Sequence, residues 1–238
     1  MNILITGGTG NIGKAVIRYI YKYTASNTHE DIDFTAISRN GGLIEADDNV
    51  VAVESLDLNR SWDYLRLWVR EQKEQFDLVV VAHGTQRPAT IEHMVESNWY
   101  SIWYDNLSSV VGLVQALVKE NKLTPNALIV LCSSIQANTP RVGRGMYAMA
   151  KAALEAFAKT IAIELAPIRC VALRLGQLTE TMANIEFDPI EKNKLEKRAL
   201  VDWVDPKEIA FLIFSLYHTS SITGCIIDVD SGHGRNVW

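Results

Sequence analysis

The first thirteen residues place the tightest constraint on this chain. Residues 2–6, Asn-Ile-Leu-Ile-Thr, form a short run of strand character and pass directly into Thr6-Gly-Gly-Thr-Gly-Asn-Ile-Gly13. Glycines at 7, 10 and 13 permit a tight turn, close approach of a ligand to the backbone, and close packing of the helix that follows. A helix starting there aims unpaired N–H groups and the positive end of its dipole at whatever lies above the turn, which suits a pyrophosphate. The order strand, glycine turn, helix therefore predicts a dinucleotide site, with Gly7, Thr9, Gly10, Asn11, Ile12 and Gly13 as candidate contacts. A glycine triplet taken alone reads equally as a structural turn.

The alternation continues. Asn11 to Tyr23 reads as the first helix, and Asp33 to Ser38 and Val50 to Glu54 as strands. Ser61 to Glu74 reads as an amphipathic helix with Trp62, Leu65 and Val69 on one stripe. Asp77 to Ala82 is a continuous apolar strand, Trp99 to Glu120 mostly helix, and Ala127 to Cys132 another buried strand. Tyr147 to Ala166 is an alanine-rich helix stopped by Pro167, and Pro206 to Tyr217 a helix with proline in its first turn. Cys170 to Leu175 and Ile226 to Val229 complete the strands. Apolar strands alternating with helices predict an α/β fold with a parallel sheet covered on both faces. The polar segment from Glu180 to Val204 reads either as a lid over a pocket or as a solvated surface helix and loop.

Composition narrows the class. With 238 residues, 48% hydrophobic and 21% charged, the chain suits one domain over 1–238 rather than two. A net charge of −5 argues against a broad nucleic-acid or anionic-membrane surface. No signal peptide is read at the start, and no apolar run approaches the roughly 20 residues needed to span a bilayer. Cys132, Cys170 and Cys225 lack CxxC spacing and read as buried thiols, with neither a disulfide frame nor a metal site expected. The expected location is cytoplasmic.

Residues after the second strand bear on which dinucleotide is held. An acid there commonly holds the ribose hydroxyls of NAD. Here Ser38-Arg39-Asn40 offers no acid. Arg39 is suited to a 2′-phosphate, with Ser38 and Asn40 as hydrogen-bond partners, so NADP(H) is preferred and NAD(H) is the alternative. Asp57, followed by Leu58, is placed either to contact adenine or to cap a turn.

Tyr147 and Lys151 stand four apart in a helical stretch, on one face and one turn from each other, thirteen residues after Ser134. Positive charge beside a phenol favours the phenolate, and a serine hydroxyl alongside can hydrogen-bond a substrate oxygen. The Tyr-x-x-x-Lys spacing alone recurs by chance in many helices.

Taken together, these motifs resemble the short-chain dehydrogenase/reductase family over nearly the whole chain. The markers appear in the family's order: the glycine turn, Asp57, Gly84 after the Asp77 strand, Asn106, Ser134, Tyr147 with Lys151, Gly176, and Thr223-Gly224 before the last strand. The resemblance implies a Rossmann-type doubly wound parallel sheet of about seven strands with helices on both faces. It implies that Ser134 polarises a substrate carbonyl, Tyr147 is the acid/base, Lys151 tunes it and binds the nicotinamide ribose, and Asn106 supports a proton relay. Trp99, seven residues before Asn106, fits the helix-start tryptophan that fixes this register. A homodimer or homotetramer through the Asn106 and Tyr147 helices is also implied. Trp99, Tyr100, Trp103 and Tyr104 read as helix packing or subunit interface rather than as a ligand box.

Two departures stand out. The glycine spacing is GxxGxxG, more familiar in extended members such as sugar-nucleotide epimerases, but those carry roughly a hundred further residues. Where the family often has Asn-Asn-Ala-Gly, this chain has Val81-Ala82-His83-Gly84, with His83 read as packing or as a cofactor contact. Gly176, Leu178 and Thr179, with Thr181 beyond, are candidates to border the nicotinamide.

The leading expectation is an NADP(H)-dependent oxidoreductase of carbonyl-reductase or alcohol-dehydrogenase type, acting on a small-molecule carbonyl or alcohol. An NADP(H)-binding sensor or scaffold with little turnover, and a sugar-nucleotide epimerase or dehydratase, are the alternatives. Residues Gln136 to Arg144 are candidate pocket residues. Arg141 and Arg144 read either as readers of an anionic substrate or as solvated loop arginines.

Overall fold

Successive side chains of a strand face opposite sides of a sheet, and the first strand shows what that does here. Ile3 and Ile5 pack into one hydrophobic core while Leu4, between them, packs into another. Both cores are deeply buried, which explains why the strands read as unbroken apolar runs. The computed structural model describes residues 1–27, 31–46, 49–58, 61–179 and 203–234.

Strands β1 (Asn2–Thr6), β2 (Asp33–Ser38), β3 (Gly42–Ala46), β4 (Asn49–Ser55), β5 (Phe76–Val81), β6 (Leu123–Ser134), β7 (Arg169–Leu175) and β8 (Cys225–Val229) form one eight-stranded sheet in the order β3-β4-β2-β1-β5-β6-β7-β8. Every pairing is parallel except β3 with β4. The expected doubly wound sheet of about seven strands is thus present, with eight strands among the described residues. Strand β3 escapes the sequence because it is short, opens on the second of two glycines, and has mostly exposed side chains. Gly41 and Gly42 have positive φ, which turns the chain back for the antiparallel return.

Helices α1 (Asn11–Asn27) and α6 (Pro206–Tyr217) supply one core face, with Ile17, Ile20, Ile209 and Ile213 against Ile3, Ile5 and Val80. Helices α2 (Trp62–Glu71), α4 (Ser109–Lys119) and α5 (Gly145–Glu164) supply the other, with Leu65, Leu113 and Leu154 against Leu4, Val79 and Val81. Each such fully buried aliphatic side chain contributes roughly 1.5–3 kcal/mol relative to exposure. Ser61 caps α2 by accepting from the Tyr64 N–H at 3.3 Å, and Asp205 caps α6 by accepting from the Lys207 N–H at 2.8 Å. Trp62 lies across Gly112, where an added Cβ would meet the indole at 2.7 Å.

The helix expected from Trp99 to Glu120 is broken into parts. Helix α3 (Glu96–Trp103) leads into a π turn over Tyr104–Ser108 before α4 begins. Such one-turn widenings occur often at functional sites. The strand order reverses between β1 and β5, and the carboxyl ends of the strands on either side open a crevice there.

Candidate active site

Two adjoining clefts run along that crevice. The first, about 250 Å³, is lined by Gly7, Thr9, Gly10, Ser38, Arg39, Leu56, Asp57, Leu58, Thr85 and Asp105. The second, about 190 Å³, is lined by Ile12, Gln86, Cys132, Ser134, Gln136, Tyr147, Lys151, Gly176, Gln177 and Leu178 among others. Ala82, His83 and Gly84, just after β5, line both.

The glycine turn is a cradle that side chains would fill. Gly7 has φ +72°, and a Cβ there would stand 2.9 Å from the Ala82 and His83 backbone. A Cβ on Gly13 would collide with the Gly7 carbonyl oxygen, so α1 packs directly beneath the turn. The Gly10 N–H donates to the Gly7 carbonyl at 2.9 Å, closing the turn.

Strand β6 ends at Ser134, whose buried Oγ accepts from the Gln136 N–H at 3.3 Å as the chain enters a short 3₁₀ turn. Helix α5 presents Tyr147 and Lys151 one turn apart, with the ammonium 5.6 Å from the phenol ring centre. Lys151 is buried and donates to the Cys132 carbonyl at 2.8 Å. The same burial pushes the Cys132 thiol up to about 11, leaving it neutral. Below Lys151, Ser133 Oγ donates to Glu155 at 2.8 Å, and Arg174 bridges Glu155 and Asp228. That network fastens α5 to β6, β7 and β8.

Asn106 occupies the π turn and is 0% exposed. Its Nδ2 donates to the Thr85 and Ile102 carbonyls, each at 2.9 Å. Its Oδ1 is buried with no partner among the described residues. Ser38 Oγ, at the wall of the first cleft, is likewise buried without a partner among them. Buried polar atoms are rarely left unsatisfied, so two of them beside one crevice mark places where a ligand or water is received. Together with the glycine cradle, they fit a nicotinamide dinucleotide.

His83 is held between Thr6 Oγ1 at 2.6 Å from Nδ1 and Ser109 Oγ at 3.0 Å from Nε2. Loss of solvent, then the charges of Lys151 and Arg39, push its pKa down to about 3, so the ring is neutral.

Other residues singled out in the sequence fall differently. Asn11 and Gly13 lie in the first turn of α1, outside the cleft linings, as does exposed Asn40. Thr179 is turned to residue 204, with both its N–H and its hydroxyl donating to the Val204 carbonyl at 3.1 Å. Arg39 stands at the mouth of the first cleft, 57% exposed, and pairs with Asp105 at 3.7 Å. The sequence reading missed Asp105, which is 66 residues away but adjoins Asn106 in the chain. It also missed Thr85 and Gln86, whose one available signal is that they directly follow Gly84. Thr181 and the lid expectation for 180–204, up to residue 202, lie outside the described residues. Among the described residues no helix is long and apolar enough to cross a membrane.

The chain is similar to known proteins over most of its length. The family model described as enoyl-(acyl carrier protein) reductase matches residues 48–233. The vibriobactin-specific 2,3-dihydro-2,3-dihydroxybenzoate dehydrogenase of Vibrio cholerae is 27% identical over 186 residues, 76% of this chain and 71% of that protein. The 3-oxoacyl-[acyl-carrier-protein] reductase FabG of Chlamydia muridarum is 25% identical over 242 residues, 96% of this chain and 95% of that protein. A short-chain dehydrogenase family protein from Francisella tularensis has the same fold, with a TM-score of 0.80 at 22% identity over 98% of both chains. The chain thus belongs to the short-chain dehydrogenase/reductase family and is an NAD(P)-dependent oxidoreductase.

Proposed function

We propose that this chain is an NADP(H)-dependent carbonyl reductase or alcohol dehydrogenase acting on a small-molecule carbonyl or the matching alcohol. One observation carries the reading: Ser134, Tyr147 and Lys151 line a single cleft that shares the Ala82–Gly84 wall with the glycine cradle. The bound nicotinamide supplies or takes up a hydride. Tyr147 gives or takes the proton at the substrate oxygen, and the Ser134 hydroxyl donates a hydrogen bond to that oxygen. Lys151 holds a positive charge beside Tyr147 and hydrogen-bonds the cofactor ribose, and Asn106 links this end of the site to ordered water. Gly7, Thr9, Gly10, Asn11, Ile12 and Gly13 cradle the pyrophosphate. Leu58, Ala82 and His83 border the adenosine half, and Gly176, Leu178 and Thr179 the nicotinamide.

The preference for NADP(H) over NAD(H) rests on Arg39 and Ser38. An exposed guanidinium, loosely paired at 3.7 Å, adjoins a buried hydroxyl without a partner among the described residues, and no acid follows directly on β2. Asp57 is the proposed adenine contact. The chain is proposed to act as one domain, assembled as a homodimer or homotetramer through α4 and α5. Exposed Val118, Met149 and Ile163 on those helices favour such a contact.

Screening carbonyls and alcohols with each cofactor by nicotinamide fluorescence tests the reading. NADPH consumption with a subset of small carbonyls is the expected result. Tight NADPH binding with no turnover across a broad panel would return the chain to the sensor reading.

A further inference from the structure

The wall of the second cleft carries the side-chain amides of Gln136 and Gln86, which carbonyl reduction does not use, and Arg144 is hydrogen-bonded to the second of them. Gln136 is 6% exposed, and its side-chain Oε1 is buried with no hydrogen-bond partner among the described residues. The two ends of an amide are told apart by their partners, so with none at Oε1 the NH₂ end takes that place equally well and offers a donor to a ligand oxygen. Gln86 lines the same cleft, and its Oε1 accepts from Arg144 Nη1 at 2.5 Å. Arginine only donates, so the bond fixes which end of the Gln86 amide faces it and leaves the NH₂ end to donate elsewhere. Arg144 has no carboxylate partner among the described residues, and it sits immediately before the first turn of α5, where the helix dipole adds positive potential. No Asp or Glu is among the described residues lining this cleft, whereas Lys151 is.

We infer that the substrate is a carbonyl compound that also carries a carboxylate, whose oxygens accept from the Gln136 and Gln86 amides with the Arg144 charge behind them. The inference rests on the proposed carbonyl chemistry and adds a class of substrate to it. Planar amide and guanidinium donors match the flat, two-oxygen geometry of a carboxylate. Because Gln136 follows Ser134 by two residues and its own N–H reaches Ser134 Oγ, the anion is read beside the reacting oxygen. A short oxo acid meets both demands.

The test compares short 2-oxo and 3-oxo acids with their own methyl esters as substrates of the full chain with NADPH. The acid is expected to exceed its ester by at least about tenfold in kcat/KM, the scale of one charge-assisted hydrogen bond. In Arg144→Met the acid-to-ester ratio should fall about tenfold, and in Gln136→Leu about fivefold. Gln136→Leu keeps the volume and removes a side-chain oxygen with no partner among the described residues, so it also serves should the arginine variant fold poorly. Esters turned over as well as acids would overturn the carboxylate while leaving the carbonyl chemistry standing. A hydroxyketone phosphate preferred over every acid would overturn it too. If no member of the panel is turned over, the carbonyl reading fails and equilibrium dialysis with the labelled acids and esters decides. Tighter binding of acid than ester, lost in Arg144→Met, supports the anion site, and equal binding overturns it.

Discussion

Gly84 and Asn106 meet so closely that position 84 has no room for a side chain: an added Cβ would stand 2.5 Å from Asn106 Oδ1 and 3.4 Å from Lys151 Nζ. The glycine thus brings the chain after β5 against two of the proposed site residues. Gly84→Ala should therefore displace Asn106 and lower turnover, with a stability loss of about 1–3 kcal/mol from overpacking. Urea denaturation checks the second part and steady-state rates the first. An alanine variant with unchanged stability and rate would show that the contact relaxes freely.

Tyr147→Phe removes only a hydroxyl, so the fold and the cradle stay intact. Turnover should fall by roughly a hundred- to ten-thousand-fold, the usual range for a lost general acid/base. NADPH affinity, read by fluorescence titration, should stay within about threefold, since none of the proposed pyrophosphate contacts is touched. Near-normal activity would remove Tyr147 from the mechanism.

Arg39→Ala should weaken NADPH binding about tenfold or more while leaving NADH little changed, because the 2′-phosphate alone distinguishes them. The ratio of the two dissociation constants is the measurement. A variant that loses both equally would assign Arg39 to holding Asp105 rather than to reading the cofactor.

His83 supplies a pH dependence with a defined sign. Its folded pKa, about 3, lies below the ordinary histidine value of 6.5, so between those values the unfolded chain binds more protons. Stability from this group is complete above about pH 6.5 and declines as pH falls toward 3. Glu120, held down to about 2 by hydrogen bonds from Arg70 and Arg66, loses its contribution only below its ordinary value of 4.5. Urea midpoints at about pH 7 and about pH 5 therefore isolate His83 from Glu120. Wild type should lose more stability across that step than His83→Gln, and parallel losses would refute a neutral, half-buried imidazole.

Much of the fold was legible because the relevant signals are local. Continuous apolar strands, the glycine turn and Pro206 each declare themselves within a few residues, and α6 spans the predicted residues. Tyr147 and Lys151 were readable as neighbours because helical spacing alone puts them on one face. Strand β3 was hidden by its exposed pattern. The π turn was hidden because an added residue in a helical turn leaves no compositional trace. The Arg39–Asp105 pair and the Gln86–Arg144 bond depend on loops from different strands meeting, which no local pattern encodes. The Lys151 contact with Cys132 is made to a backbone carbonyl, so the side chain at 132 carries no sign of it.

The antiparallel return of β3 along β4 has a consequence for cofactor choice. Beside it, the stretch that bears Ser38, Arg39 and Asn40 is fastened to the end of β4 as a clamped corner: the Leu56 N–H donates to the Ser38 carbonyl at 2.9 Å, and Ser55 Oγ donates to the Arg39 carbonyl at 2.9 Å. The backbone there is ordered when the sheet forms, so little conformational entropy is left to lose when the adenosine end arrives. On the proposed roles of Ser38 and Arg39, discrimination between the two dinucleotides is then a property of the sheet's edge. Redesigning it calls for exchanging the whole β2–β3–β4 corner, because a point change at position 39 alters the charge while keeping the mould in which it was cast.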